Sequence, residues 1–245
     1  MRAIQILLCL GLLLAACTGS RVDLPHYEQA PAVAALPARP VDGGVDDRAL
    51  DAIANRLSRA ILQPDMCSRL DCPRSGGYVV VVFEEDVVNA MTDGNNIYVA
   101  RGLLDFVAND GELAAVLAHE IAHGLLDHLG SKQQDAMLGA LLGAMLGAAV
   151  GVDASDIGAS LGALTYSKTY EREADYVGLY ILARAGYGLQ DADTMWRKMA
   201  TISTSKGSFL DSHPAFSERL ALIRATNDEI AAKIRAGQPL VPALR

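Results

Sequence analysis

The sequence predicts an α+β domain that is predominantly helical, with a small β-sheet beside its central helix. Three observations carry this. Apolar residues recur at spacings of three and four over several long stretches, which is the period of one helix face. Only two short β-branched or aromatic runs occur, Tyr78–Phe83 and Ile97–Val99, and both precede the central helices. A helix-start pattern, Asn109-Asp110-Gly111-Glu112, then opens the most apolar helical segment.

The chain has 245 residues, of which 51% are hydrophobic, and its mean hydropathy is +0.21. Such aliphatic content excludes a disordered chain. With 21 Lys plus Arg against 29 Asp plus Glu the net charge is −8, which argues against a nucleic-acid partner. The apolar excess is concentrated: residues 1–16 hold 13 hydrophobics and residues 136–152 hold another 13.

Taken in order, residues 1–16 have the charged start, short apolar run and small residues of a secretory signal. Leu14-Ala15-Ala16-Cys17 resembles a bacterial lipobox, which makes Cys17 the lipidated N-terminus and a membrane anchor. Thr18, rather than Asp, after that Cys favours the outer membrane of a Gram-negative cell over the inner one. Residues 17–45, with Pro25, Pro31, Pro37 and Pro40, read as an extended tether in which His26 is solvated. A folded domain is expected over 46–236, followed by a tail at 237–245. Leu50, Ile53, Leu57 and Ile61 give its first helix, from Asp46 to Leu62. Cys67 and Cys72 are candidates for a local disulfide in an oxidising compartment, the alternative being two free thiols. Tyr78–Phe83 is expected as a buried strand. Asp93-Gly94-Asn95-Asn96 is turn chemistry, and Ile97–Val99 is a second strand antiparallel to a neighbour. The central helix runs from Asn109 to about Leu129. Further helices are expected at Tyr166–Ala185, ended by Gly186, at Asp191–Thr201 and at Pro214–Ile234.

Residues 136–152 carry glycine at every fourth position, Gly139, Gly143, Gly147 and Gly151, between Asp135 and Asp153. On a helix the glycines form one stripe that lets another backbone approach. Packing over a cleft, contact with a membrane and self-association all remain open for this segment.

The chemistry lies in His119-Glu120-Ile121-Ala122-His123. Residues four apart on a helix sit one above the other, so two imidazoles can face one metal ion. Glu120 lies about 100° away, close enough to touch a metal-activated water without ligating. Zinc suits such donors and, in catalytic sites, leaves one position open. The metzincin spacing fails, because Leu126 and Leu129 stand where a glycine and a third histidine are needed. Continued on the same helix, His128 lies about 140° from His123 and points away from the metal, in a surface or structural role. Glu171 and Asp175 share one face of the next polar helix. One can ligate while the other holds a ligand histidine from behind, or both can belong to a solvated surface. Glu173 falls off that face and is expected to be solvated or paired with Arg172.

Together these stretches resemble the zinc metallopeptidase family of HtpX and the CAAX prenyl proteases, especially its small bacterial lipoprotein branch. The matching residues are Val88-Asn89-Ala90, Ile97-Tyr98-Val99, Arg101-Gly102-Leu103-Leu104, Glu112 to His123, Tyr170 to Asp175 with Gly178, and Ser212-His213-Pro214 with Arg219. The resemblance spans about 45–235. It implies a zincin-like domain holding one zinc ion on His119, His123 and Glu171, with Glu120 as catalytic base and Asp175 behind a ligand. It further implies that His213 reaches the site from the C-terminal side, to stabilise an oxyanion or to occupy the open metal position; a plain helix start at His213-Pro214 is the alternative. Arg219 is expected as a structural ion-pair partner. By fold analogy, Asn96, Ile97 and Tyr98 would pair with substrate as an added strand, and 136–165 would be a lid-like insertion. The implied role is endoproteolysis of exported or outer-membrane proteins in envelope quality control. A catalytically silent chaperone or assembly factor, and a regulatory protease with one dedicated substrate, are the rival roles.

Overall fold

The computed structural model describes residues 20–27, 47–70, 72–73, 77–133, 167–202, 208–213 and 217–245. The expected signal at 1–16, the lipid site Cys17 and the lid-like stretch at 136–165 lie outside them.

The element order is α1 (Asp47–Ile61), α2 (Pro64–Cys67), β1 (Val79–Phe83), β2 (Ala90–Thr92), β3 (Asn96–Ala100), α3 (Arg101–Phe106), α4 (Asp110–Leu125), α5 (Lys168–Arg184), α6 (Leu189–Met199), α7 (Phe209–Ser212) and α8 (Ser217–Arg235). Among the described residues helices therefore dominate and the sheet is small, with three strands, as an α+β domain of this patterning should have.

Helix α4 is the hub. It packs against α1, α5, α6 and strands β2 and β3. It is apolar on nearly every face, which is the signature of a helix buried all round. Its start is capped as expected: Asn109 Oδ1 accepts the Glu112 N–H at 2.9 Å, and Glu112 Oε2 reaches back to the Ala108 N–H at 2.8 Å. Glu112 is also held by Lys198 Nζ at 2.5 Å, which ties α4 to α6 through a buried ion pair. Leu50, Ile53, Leu57 and Ile61 of α1 are all buried, so the helical spacing read there is the packing face.

The sheet order is β1-β3-β2, with β3 parallel to β1 and antiparallel to β2. Two expectations change. Tyr78–Phe83 is not a buried strand: β1 lies at the edge, and Val79 and Val81 are 61% and 41% exposed. Substrate pairing at Asn96, Ile97 and Tyr98 is also ruled out. β3 is the central strand, and its backbone is already paired to β1 on one side and β2 on the other.

The central helix ends at Leu125, not near Leu129. Asp127 adopts a positive φ of 48°, a conformation that Asp tolerates better than most residues. Its carboxylate then accepts the Gly130 N–H at 3.2 Å and caps a new turn at 128–133. Helix α5 is capped by Ser167 and stops at Gly186, whose φ of 75° is the left-handed ending glycine favours. The expected tether and tail are not loose where described. Val22 is buried and pairs with Leu244, and Asp23 N–H donates to the Ala243 carbonyl at 2.9 Å. Cys67 and Cys72 form a disulfide next to the end of α1.

Candidate metal centre

Two neighbouring helices bring the site together. Helix α4 supplies His119, Glu120 and His123. Helix α5 crosses it at Gly178, where an added Cβ would lie 3.2 Å from the Ala118 carbonyl oxygen and from His119 Cα. That close approach places Asp175 and Glu171, one and two turns earlier on α5, against the two histidines. His213 arrives from the end of α7, which is pinned by the Phe209 N–H donating to the Val88 carbonyl at 2.9 Å.

His119, His123, Glu171 and His213 are all buried, and one donor atom from each falls within 4.8 Å of the others. His119 Nε2 lies 3.1 Å from His123 Nε2 and 3.6 Å from Glu171 Oε2, and His123 Nε2 lies 3.4 Å from Glu171 Oε1. A tetrahedral zinc with bonds of 2.0–2.1 Å separates its ligands by about 3.3 Å. The donors therefore have both the chemistry and the spacing that this ion requires. His213 Nδ1 joins them, 3.4 Å from His119 Nε2 and 2.9 Å from Glu171 Oε1.

The charges around the donors are arranged to match. Burial opposes a charge on Glu171, but His213, Arg219, His119 and His123 hold its carboxyl well below the usual range. Burial likewise keeps His123 neutral, with its pKa well below the ordinary imidazole value. His119 is different: burial works against its proton, yet Asp175 and Glu171 outweigh that and raise it to about 9. Asp175 Oδ1 stands 3.0 Å from His119 Nδ1, which directs Nε2 toward the centre. Asp175 is in turn gripped by Arg219, which also lies 3.1 Å from Glu171 Oε2 and stacks over Trp196.

Glu120 is fully buried, and among the described residues neither carboxylate oxygen has a hydrogen-bond partner. Burial raises its pKa, as suits a group that must accept a proton. His213 Nε2 approaches it to 3.5 Å.

The sequence-predicted residues His119, Glu120, His123, Glu171, Asp175, His213 and Arg219 thus converge on one centre. Asn96, Ile97 and Tyr98 do not; the Tyr98 hydroxyl instead bonds Asp93 at 2.9 Å. Three contributors escaped the sequence reading. Trp196 meets the His119 ring edge-on at 5.0 Å, and Phe209 stacks on His213 at 4.3 Å. Glu173, expected in solvent or paired with Arg172, is buried against His128, which is itself buried beside His123. No local pattern signals these, because each depends on how distant helices meet.

The family model for "Peptidase family M48" matches residues 52–227, most of the chain and all of the centre just described. The chain belongs to peptidase family M48. This is the zinc-dependent metallopeptidase group of HtpX and the CAAX proteases, so the resemblance read from the motifs holds at the level of the family. Among curated relatives, it is 32% identical over 151 residues to the mitochondrial metalloendopeptidase OMA1 of Arabidopsis thaliana, covering 60% of this chain and 31% of that one. It is 33% identical over 138 residues to OMA1 of Saccharomyces cerevisiae, covering 52% of this chain and 39% of the relative. The chain thus spans well under half the length of these M48 relatives. Among the described residues no helix is long and apolar enough to cross a membrane.

Proposed function

We propose that this M48 protein is a zinc endopeptidase of the bacterial envelope, lipid-anchored at Cys17 and acting on exported or outer-membrane proteins. The observation that carries the catalytic half is the position of Glu120. A buried carboxylate with no hydrogen-bond partner among the described residues adjoins three donors at tetrahedral spacing.

His119, His123 and Glu171 would hold the ion. Zinc, when bound there, supplies a Lewis acid for the scissile carbonyl and lowers the pKa of water. Glu120 takes the proton from the attacking water and passes it to the leaving amine. Asp175, clamped by Arg219, keeps His119 in the tautomer that offers Nε2. His213 Nδ1 sits among the donors, so its resting position supports occupation of the open site more than oxyanion binding. Substrate must displace it. The sheet edge nearest the active helix is β2, which supports substrate pairing there rather than on β3. An open pocket of about 240 Å³, lined by Thr92, Asp93, Gly94, His123 and Gly124, adjoins that edge.

Envelope location is supported by the lipobox at Cys17 and by the Cys67–Cys72 disulfide, which suits an oxidising compartment. Two experiments test the proposal. Purified protein should carry one zinc, lost in His119→Ala, and should cleave casein; unchanged zinc in that variant would sink the site. Labelled palmitate should enter the wild type and not Cys17→Ser, and equal labelling would remove the anchor.

A further inference from the structure

Behind the ligand histidine His123, on its Nδ1 side, lies a second line of buried polar groups that the mechanism does not use. His123 Nδ1 is 2.9 Å from His128 Nδ1, and His128 Nε2 is 2.9 Å from Glu173 Oε2. Glu173 Oε1 accepts the backbone N–H of Arg21 at 2.5 Å. Arg21 also reaches Leu126, donating from Nη1 to its carbonyl at 2.6 Å. His128 and Glu173 are 0% and 1% exposed.

The helix break makes this possible. On an unbroken helix His128 would stand about 140° from His123. The positive φ of Asp127 turns the chain back, so that His128 faces the ligand histidine and stacks on Tyr170 at 4.7 Å. Arg21 holds the break through Leu126 and holds Glu173 as well.

The bonding has only one consistent direction. His123 must present a bare Nε2 to a metal, so as a neutral ring it carries its proton on Nδ1. It therefore donates to His128 Nδ1. His128 then carries its own proton on Nε2 and donates to the Glu173 carboxylate, the acceptor that ends the line.

We infer that His128 and Glu173 form a positioning relay for the zinc ligand His123, with the segment at Arg21 as its outer brace. The relay fixes the His123 tautomer and ring orientation, as Asp175 does for His119. It also makes the stretch just after Cys17 part of the metal site's support. The inference rests on zinc binding at the proposed cluster.

Two measurements test it. Long-range ¹H–¹⁵N NMR of the zinc-loaded wild type should show Nδ1–H at His123 and Nε2–H at His128. Chelator competition should show His128→Phe, which keeps a ring on Tyr170, binding zinc 10- to 100-fold more weakly, the range for lost outer partners of ligands. His128→Gln, whose amide offers an acceptor and a donor in the same roles, should stay within about threefold of wild type. Equal zinc affinity in the Phe and Gln variants overturns the relay, and so does Nδ1–H at His128. The tautomer result decides even if His128→Phe does not fold. A wild type that binds no zinc overturns the metal-site reading and the relay together. Zinc binding with the opposite tautomer overturns the relay alone.

Discussion

Arg219 grips Asp175 with two parallel hydrogen bonds, Nε to Oδ2 and Nη2 to Oδ1, both at 2.7 Å and both buried. The fork geometry belongs to arginine alone. It joins α8 to α5 and holds the carboxylate that orients His119. Removing one partner of a buried pair costs about 3–5 kcal/mol. Arg219→Ala should therefore lower unfolding free energy by about that amount in urea titration, and Arg219→Lys should recover only part of it. Equal stability of the Lys variant and the wild type would contradict the bidentate role.

His213 Nδ1 lies among the donor atoms, where the proposed function requires substrate to enter. His213→Ala should raise basal casein cleavage by roughly two- to tenfold, because the competent state no longer has to be won from the closed one. An oxyanion role would do the reverse, lowering kcat by about 10²–10³. Steady-state rates on one quenched peptide separate the two.

Gly178 is where α5 meets α4. A methyl group there would press on backbone atoms of Ala118 and His119 at 3.2 Å. Gly178→Ala should destabilise the domain by about 1–3 kcal/mol, the usual cost of overpacking. It should also weaken zinc binding, since the shift falls on a ligand's own backbone. Thermal melts with and without zinc would show a smaller zinc-dependent rise in Tm than in the wild type.

Asp93 organises the turn between β2 and β3. Its Oδ1 accepts the N–H groups of Asn95 and Asn96, and its Oδ2 accepts from Asn96 Nδ2 and the Tyr98 hydroxyl. Burial raises its pKa and is the largest single influence, but these bonds together prevail and hold it at about 2, below the ordinary 3.8. Its stabilisation is therefore complete above pH 3.8 and lost as the pH falls through about 2. Solvent screening keeps it to about 0.5–1 kcal/mol. Asp93→Asn should be less stable than wild type by that amount at pH 7, with the gap closing toward pH 2 in urea titrations. A gap that persists unchanged at pH 2 would contradict this.

What could be read from residues alone followed the range of each interaction. The i, i+4 pair His119 and His123 was legible because one helix contains both. Spacing alone left Glu171 and Asp175 level with a solvated face, since only the crossing at Gly178 turns that face inward. His128 was misplaced because helical geometry was extended through Asp127, where the chain leaves the helix. Glu173 followed it, for its partner was not where the wheel put it. β3 was recognised as a strand, but strand order is a long-range property. A short apolar run does not tell centre from edge, and only the pairing on both sides shows β3 to be central.

In the proposed mechanism Glu120 moves the proton at a zinc site built from His119, His123 and Glu171. This role is tested most directly by the peptide-cleavage rate of zinc-loaded Glu120→Gln. The variant should hold one zinc per chain as in wild type and cleave at a rate lower by at least about 10²–10⁴. A zinc-loaded Glu120→Gln that cleaves within a fewfold of the wild-type rate would contradict it.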